Sequence, residues 1–208
     1  MDMLIKSNVD KKKVIILGGN GFIGKNLSKC CYKHGLDVYS LDIREPDEEL
    51  EGINYISGDF FDEIFLKEII SDKDIIFHAI STIQPGNSNQ KYMSGYNRDM
   101  IESIRLFSYL LGTKKKLIFL SSGGTVYGNQ KIQPIKEDVM ALPINHYGNV
   151  KLCIENTMRV FNTQMHSKML IARISNPYGP GQDFNKGVGF IDAACWIYRC
   201  SHKKSNAW

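Results

Sequence analysis

The sequence predicts an α/β protein in which a parallel sheet is doubly wound, with helices on both faces. Three observations predict it. Short apolar runs rich in Val, Ile and Leu alternate along the chain with longer amphipathic stretches. No tight hairpin signals join the runs, so consecutive strands are linked by crossovers in βαβ units. The chain has 208 residues, of which 43% are hydrophobic and 23% charged, enough for a sizeable core without disulfides or metal.

The elements follow in order. Val14–Leu17 reads as a first strand and Phe22–His34 as the helix after it. Val38–Ile43 and Ile53–Ile56 read as strands, then Asp62–Ser71 as a helix and Ile75–Ile80 as a strand. Ser94–Leu111 repeats Met100, Ile104, Phe107 and Leu111 at helical spacing, which is the pattern of a core-facing stripe. Leu117–Leu120, a helix over His146–Thr163 and Met169–Ile174 complete the pattern. The strands read as mostly buried on both faces. Right-handed crossovers give a Rossmann-type domain with strand order 3-2-1-4-5-6. The longest loops, Ser81–Met93 and Gly123–Asn145, follow strand C-termini, where such a sheet places its ligands.

Composition excludes several classes. The apolar content rules out a disordered chain, and the 18 Gly have no collagen-like period. No apolar run reaches the roughly 18 residues of a membrane span, and Met1–Lys13 has no signal-peptide core, so a cytoplasmic location is expected. The five cysteines form no regular framework, and Cys30 and Cys31 diverge on a helix, so no metal site is expected. The net charge of +4 is mild and its positives are dispersed, apart from short runs at Lys11–Lys13, Lys114–Lys116 and Lys203–Lys204, so no nucleic-acid partner is expected.

The first βα turn reads Gly18-Gly-Asn-Gly21-Phe22-Ile23-Gly24. Glycine at 18 allows the tight turn, at 21 the approach of a pyrophosphate, and at 24 close packing of helix on strand. The N–H groups opening the helix, at Phe22, Ile23 and Gly24, can receive phosphate oxygens. Asp42 lies 18 residues beyond Gly24 at the end of the second strand, where a carboxylate accepts the adenosine ribose hydroxyls. It repels a 2′-phosphate, favouring NAD over NADP, whereas Arg44 beside it could pair with one. Asp59 and Phe60 end the third strand, where Asp59 can reach the adenine amino group.

Tyr147 and Lys151 stand at i and i+4, on one helix face. A free tyrosine, with a pKa near 10, is a poor base at neutral pH. A lysine ammonium within about 5 Å is expected to lower it by one to three units. Ser122 and Thr125, beyond the fifth strand, offer a hydroxyl to guide the proton.

Together these motifs resemble the extended short-chain dehydrogenase/reductase superfamily, in its branch of NAD-dependent nucleotide-sugar epimerases and dehydratases. The resemblance runs from Val14 to about Asp192. It adds Phe77-His-Ala-Ile-Ser-Thr, Ser121-Ser-Gly-Gly-Thr-Val-Tyr-Gly128 and Arg173-Ile-Ser-Asn176-Pro-Tyr-Gly-Pro180 to the motifs above. It implies NAD as cofactor, Tyr147 as acid/base and Lys151 as the group that holds the nicotinamide ribose and tunes Tyr147. It places Asn176 on the substrate diphosphate. Where UDP-galactose 4-epimerases usually carry Ser or Thr, this chain has Gly123, so the hydroxyl must come from Thr125 or Ser122. Asp99 stands where many relatives have Asn. The dehydratases' Asp-Glu pair is replaced by Gly124-Thr125, which leaves 4-epimerisation of a UDP-linked sugar through a transient 4-keto sugar as the nearest activity. A homodimer is expected.

Such a protein normally continues into a C-terminal substrate lobe. Here residues 1–192 read as the NAD-binding domain and 193–208 as a divergent tail holding Trp196 and Trp208, with the substrate lobe largely missing. Truncation is one reading; closure of the site by dimerisation through Trp196, Ile197 and Tyr198 is another. A NAD-binding module without turnover and a nucleotide-sugar dehydratase or reductase are the competing functions.

Overall fold

The structure is a computed structural model and describes residues 11–182. The expectations for the tail at 193–208 lie outside the described residues. Six strands form one sheet: β1 Lys13–Leu17, β2 Asp37–Asp42, β3 Ile53–Ser57, β4 Ile75–His78, β5 Lys116–Ser122 and β6 Met169–Ile174. All pairings are parallel and the order is β3-β2-β1-β4-β5-β6, as the sequence predicts. The order reverses between β1 and β4, so a crevice opens outside their C-terminal ends.

Alternation along β1 explains why the run Val14–Leu17 is apolar throughout. Ile15 and Leu17 pack in one core cluster with Leu66 and Ile70 of α2 (Glu63–Ile70), Leu106 and Phe107 of α4 (Ile101–Tyr109), and Val150 and Ile154 of α5 (His146–Gln164). Val14 and Ile16 pack on the other face with Leu27 and Cys31 of α1 (Phe22–Lys33). A strand covered on both faces favours apolar side chains at nearly every position. Burial on both faces does not extend to the edges. β3 has no fully buried residue, and Leu170 of β6 is 58% exposed. Among the described residues each of these strands has a neighbour on one side only.

Local chemistry sets the helix ends. The Asp62 carboxylate accepts from Phe65 N at 3.1 Å and caps α2, and Asn145 Oδ1 accepts from Gly148 N at 2.8 Å and caps α5. Gly35, at φ +79°, ends α1 as Leu36 N turns back to the Cys31 carbonyl.

The helix predicted over Ser94–Leu111 differs. It comprises α3 (Tyr92–Ser94), a π-helical segment Gly95–Met100, and α4. Its buried positions are Gly95, Asp99, Ser103, Leu106, Phe107 and Leu110, whereas Met100, Ile104 and Leu111 are only partly buried. A π turn takes more residues than an α turn, so the inward face is rotated from the one a uniform 3.6 period marks.

Candidate active site

The first βα turn forms a cradle. Gly18 adopts φ +85°, a conformation that suits glycine alone, and the Gly18 and Gly19 N–H groups donate to the Leu41 carbonyl at 2.8 and 2.9 Å. A Cβ on Gly24 would stand 2.3 Å from the Gly18 carbonyl oxygen and 2.7 Å from Gly19 Cα, so helix and turn touch directly. A Cβ on Gly21 would meet only the Gly18 oxygen, at 3.3 Å. Protein packing therefore demands glycine at 18 and 24 but scarcely at 21, where glycine keeps the space before the helix open. Among the described residues no side chain caps α1, whose N-cap is Gly21, and no acid lies in its first turn, which suits an anionic diphosphate.

Asp42 ends β2 beside this cradle. Its Oδ2 accepts from Asn20 N and its Oδ1 from Arg44 N, each at 3.2 Å, which fixes the carboxylate at the crevice edge. Arg44 Nε lies 3.7 Å from Asp42 Oδ1, with the Arg44 side chain 66% exposed. Asp59 accepts from Phe61 N at 2.9 Å, tying it into the turn before α2. Phe60 is buried, its ring 5.1 Å from that of His78, so its side chain belongs to the core.

Tyr147 and Lys151 come together on α5, with Lys151 Nζ 5.7 Å from the centre of the Tyr147 ring. The Lys151 ammonium is buried, donates to the Leu120 carbonyl at 3.2 Å and lies over the Phe119 ring. Burial brings its pKa down to about 8, opposed by the Asp99 charge. The expected lowering of Tyr147 is overturned for the chain by itself. Burial, and next the negative charge of Asp99, push its phenol up to about 12. The ammonium beside the ring does not outweigh desolvation and Asp99.

Asp99 sits in the π segment with both carboxylate oxygens engaged. Thr82 N donates to each at 2.9 Å and Ser81 Oγ donates at 2.6 Å. Beside it, buried His78 shares a 2.8 Å hydrogen bond with Ser103 Oγ, which in turn donates to the Asp99 carbonyl at 2.5 Å. Burial, with the Lys151 charge, lowers the imidazole to about 3 and keeps it neutral.

The hydroxyls lie at the end of β5. Thr125 Oγ1 is buried and has no hydrogen-bond partner among the described residues, an orphan that suits a bound hydroxyl. Ser122 ends the strand and is half-buried. Gly123 has a packing reason: a Cβ there would lie 3.1 Å from the Arg173 carbonyl and 3.2 Å from Ser175 Cβ. Asn176 is exposed at φ 42°, with its Oδ1 3.7 Å from where a Cβ on Gly124 would stand. Sequence reasoning missed Gly19, where a Cβ would strike Ser40 Oγ at 2.1 Å, and His78. The spare glycine beside the fingerprint is the signal for the first; the second lies within the Phe77-His-Ala-Ile-Ser-Thr segment, where nothing singles out the imidazole for a role.

The sequence profile of the NAD dependent epimerase/dehydratase family matches residues 14–205. The chain is 32% identical over 192 residues to a dTDP-4-dehydro-6-deoxyglucose reductase of Escherichia coli, covering 87% of this chain and 60% of that protein. It is 30% identical over 181 residues to a UDP-glucose 4-epimerase of Yersinia enterocolitica, covering 80% and 54%. The crystal structure of a UDP-glucose 4-epimerase from Thermotoga maritima with UDP-glucose superposes with a TM-score of 0.76 at 25% identity, covering 87% of this chain and 61% of that one. The chain thus spans little more than half of the length of these relatives. No described helix is long and apolar enough to cross a membrane.

Proposed function

This chain belongs to the NAD-dependent epimerase/dehydratase family, and on that premise we propose that it forms the NAD-binding and proton-transferring part of a nucleotide-sugar 4-epimerase, most like UDP-glucose 4-epimerase. The observation that carries the reading is the Tyr147–Lys151 pair on α5, Lys151 buried and Tyr147 half-buried, in the same domain as the glycine cradle and Asp42.

Bound there, NAD supplies the hydride acceptor and a positively charged ring. The chain's own residues do the rest. The amides of Phe22, Ile23 and Gly24 and the open face of Gly21 hold the diphosphate. Asp42, already oriented by Asn20 N and Arg44 N, accepts the ribose hydroxyls and disfavours a 2′-phosphate. Lys151 anchors the second ribose. Tyr147 takes the proton from the sugar C4 hydroxyl and later returns it. With its pKa raised to about 12 by burial and Asp99, Tyr147 needs an added positive charge before it serves as a base near neutral pH. Proton removal is thereby tied to a loaded, oxidised site. Thr125, whose hydroxyl is unpartnered among the described residues, or Ser122 guides the reacting oxygen, and Asn176 contacts the substrate diphosphate.

The reductase name of the 32% identical relative supports a second reading, reduction of a 4-keto sugar, in which Tyr147 only donates its proton. One experiment separates them. The full chain is given UDP-glucose or UDP-galactose, and in parallel a nucleotide 4-keto sugar with NADH. Epimerisation interconverts the first pair without net NADH consumption, whereas reduction consumes NADH stoichiometrically. Tyr147→Phe should reduce either turnover at least a thousandfold while NADH still binds. Unchanged turnover refutes the assignment of Tyr147, and NADH binding with no turnover on any of these sugars replaces the enzyme by a binding module.

A further inference from the structure

Glu155 lies one turn beyond Lys151 on α5, has no exposed surface, and plays no part in the proton transfer proposed above. Its Oε1 accepts from Ser121 Oγ at 2.5 Å. Arg173 of β6 donates through Nε to both oxygens at 3.0 and 3.1 Å, and through Nη2 to Oε2 at 2.6 Å. Arg159, on the next turn of the same helix, donates to Oε2 at 3.0 Å.

What this carboxylate joins gives it meaning. Ser121 follows Leu120, whose carbonyl receives Lys151 Nζ. Two successive turns of α5 therefore grip two successive residues of β5, immediately before Ser122. Arg173 is the register partner of Ser121 in the sheet and extends the grip. Its Nη1 donates to the Glu137 carbonyl at 3.3 Å, and its guanidinium lies 4.7 Å from the centre of the Tyr127 ring. The loop between those contacts and β5 carries Thr125. Burial pushes the Glu155 carboxyl up, but the hydrogen bonds from Arg173 and Ser121 and the charges of Arg173 and Arg159 more than offset it and hold it below its usual range.

We infer that Glu155 and Arg173 are positioning residues, a buried clamp that sets the separation between Tyr147–Lys151 on α5 and the hydroxyls of Ser122 and Thr125. The role rests on the assignment of Tyr147 and Lys151 made above. Buried ion pairs are poor stabilisers, and a volume-matched apolar pair often serves the fold as well. The clamp's fixed geometry, a planar fork on a carboxylate that also holds β5, is what an apolar pair cannot reproduce.

The test uses the full chain and a readout that needs no turnover. Lysines are acetylated with a limiting anhydride and each site's rate is read by mass spectrometry, beside a fluorescence titration with NADH. In Glu155→Met/Arg173→Met, Lys151 should label at least ten times faster than in the parent chain, and NADH affinity should fall at least fivefold. Lys73, buried before β4 at the opposite end of the sheet, should keep its parent rate. Arg173→Lys keeps the charge but loses the fork, and should give an intermediate rise; it decides the matter should the double variant not fold. Unchanged labelling of Lys151 overturns the proposal. So does a rise at Lys73 in step with Lys151, since the pair then supports the fold alone. A parent chain that binds no NADH refutes the assigned function, while the labelling still tests the clamp.

Discussion

Replacing Lys151 by Met should stabilise the protein while destroying the site. The ammonium is buried with one carbonyl acceptor, and its pKa is brought from 10.5 down to about 8. That lowering corresponds to about 3 kcal/mol held against folding wherever the group is protonated in both states. Met has similar volume and no charge. Losing the bond to Leu120 forfeits about 1 kcal/mol, so the net gain at pH 6.5 is about 2 kcal/mol, or about 4–8 °C in Tm for a domain of this size. The pH dependence has a definite sign. The folded pKa lies below the unfolded one, so between pH 8 and 10.5 the unfolded chain binds more protons and stability rises with pH. Integrated from pH 6.5 to 9.5, this one group contributes a rise of about 2 kcal/mol. Urea unfolding of both proteins at the two pH values measures it, and the difference between them cancels other titrating groups. Lys151→Met should lack the rise and lose NADH affinity. A variant less stable than the parent at pH 6.5 by 1 kcal/mol or more, or one retaining the full rise, would refute the reasoning.

Asp99→Asn should lower the Tyr147 titration midpoint, followed as tyrosinate absorbance against a Tyr147→Phe background. Burial is the larger cause of the rise from 10 to about 12, so removing the Asp99 charge should recover less than about one unit; a midpoint that stays or climbs contradicts the role of that charge. Gly24→Ala and Gly21→Ala should behave differently. The first forces a Cβ to 2.3 Å from a main-chain oxygen, and should lower Tm by well over 10 °C or prevent folding. The second meets only one atom at 3.3 Å, and should leave Tm within a few degrees while weakening NADH binding at least tenfold. Equal melting of the two variants would show that helix–turn contact is not what position 24 requires.

Strand positions and sheet order were legible because they rest on local rules. A β-branched apolar run such as Val14–Leu17 is buried on both faces wherever a doubly wound sheet sets it, and right-handed crossovers leave few alternatives for order. The positions of Gly18 and Gly24 were legible for the same reason: a positive φ and a helix seated on its own strand are properties of one short segment. The rotated face of the Ser94–Leu111 helix was not legible, because a π turn at Gly95–Met100 depends on where Asp99 finds Ser81 and Thr82.

The sequence by itself determined the sheet, its order, the cradle and the presence of Tyr147 and Lys151 on one helix face. Only the tertiary structure decided how readily each gives up its proton. It buried Lys151 under Phe119, brought Asp99 from another helix near enough to oppose a phenolate, and let Glu155 and Arg173 bind α5 to β5. Periodicity and turn sterics act between neighbours in the chain. Desolvation and Coulomb interaction act between neighbours in space, and in a doubly wound fold these come from segments far apart in sequence.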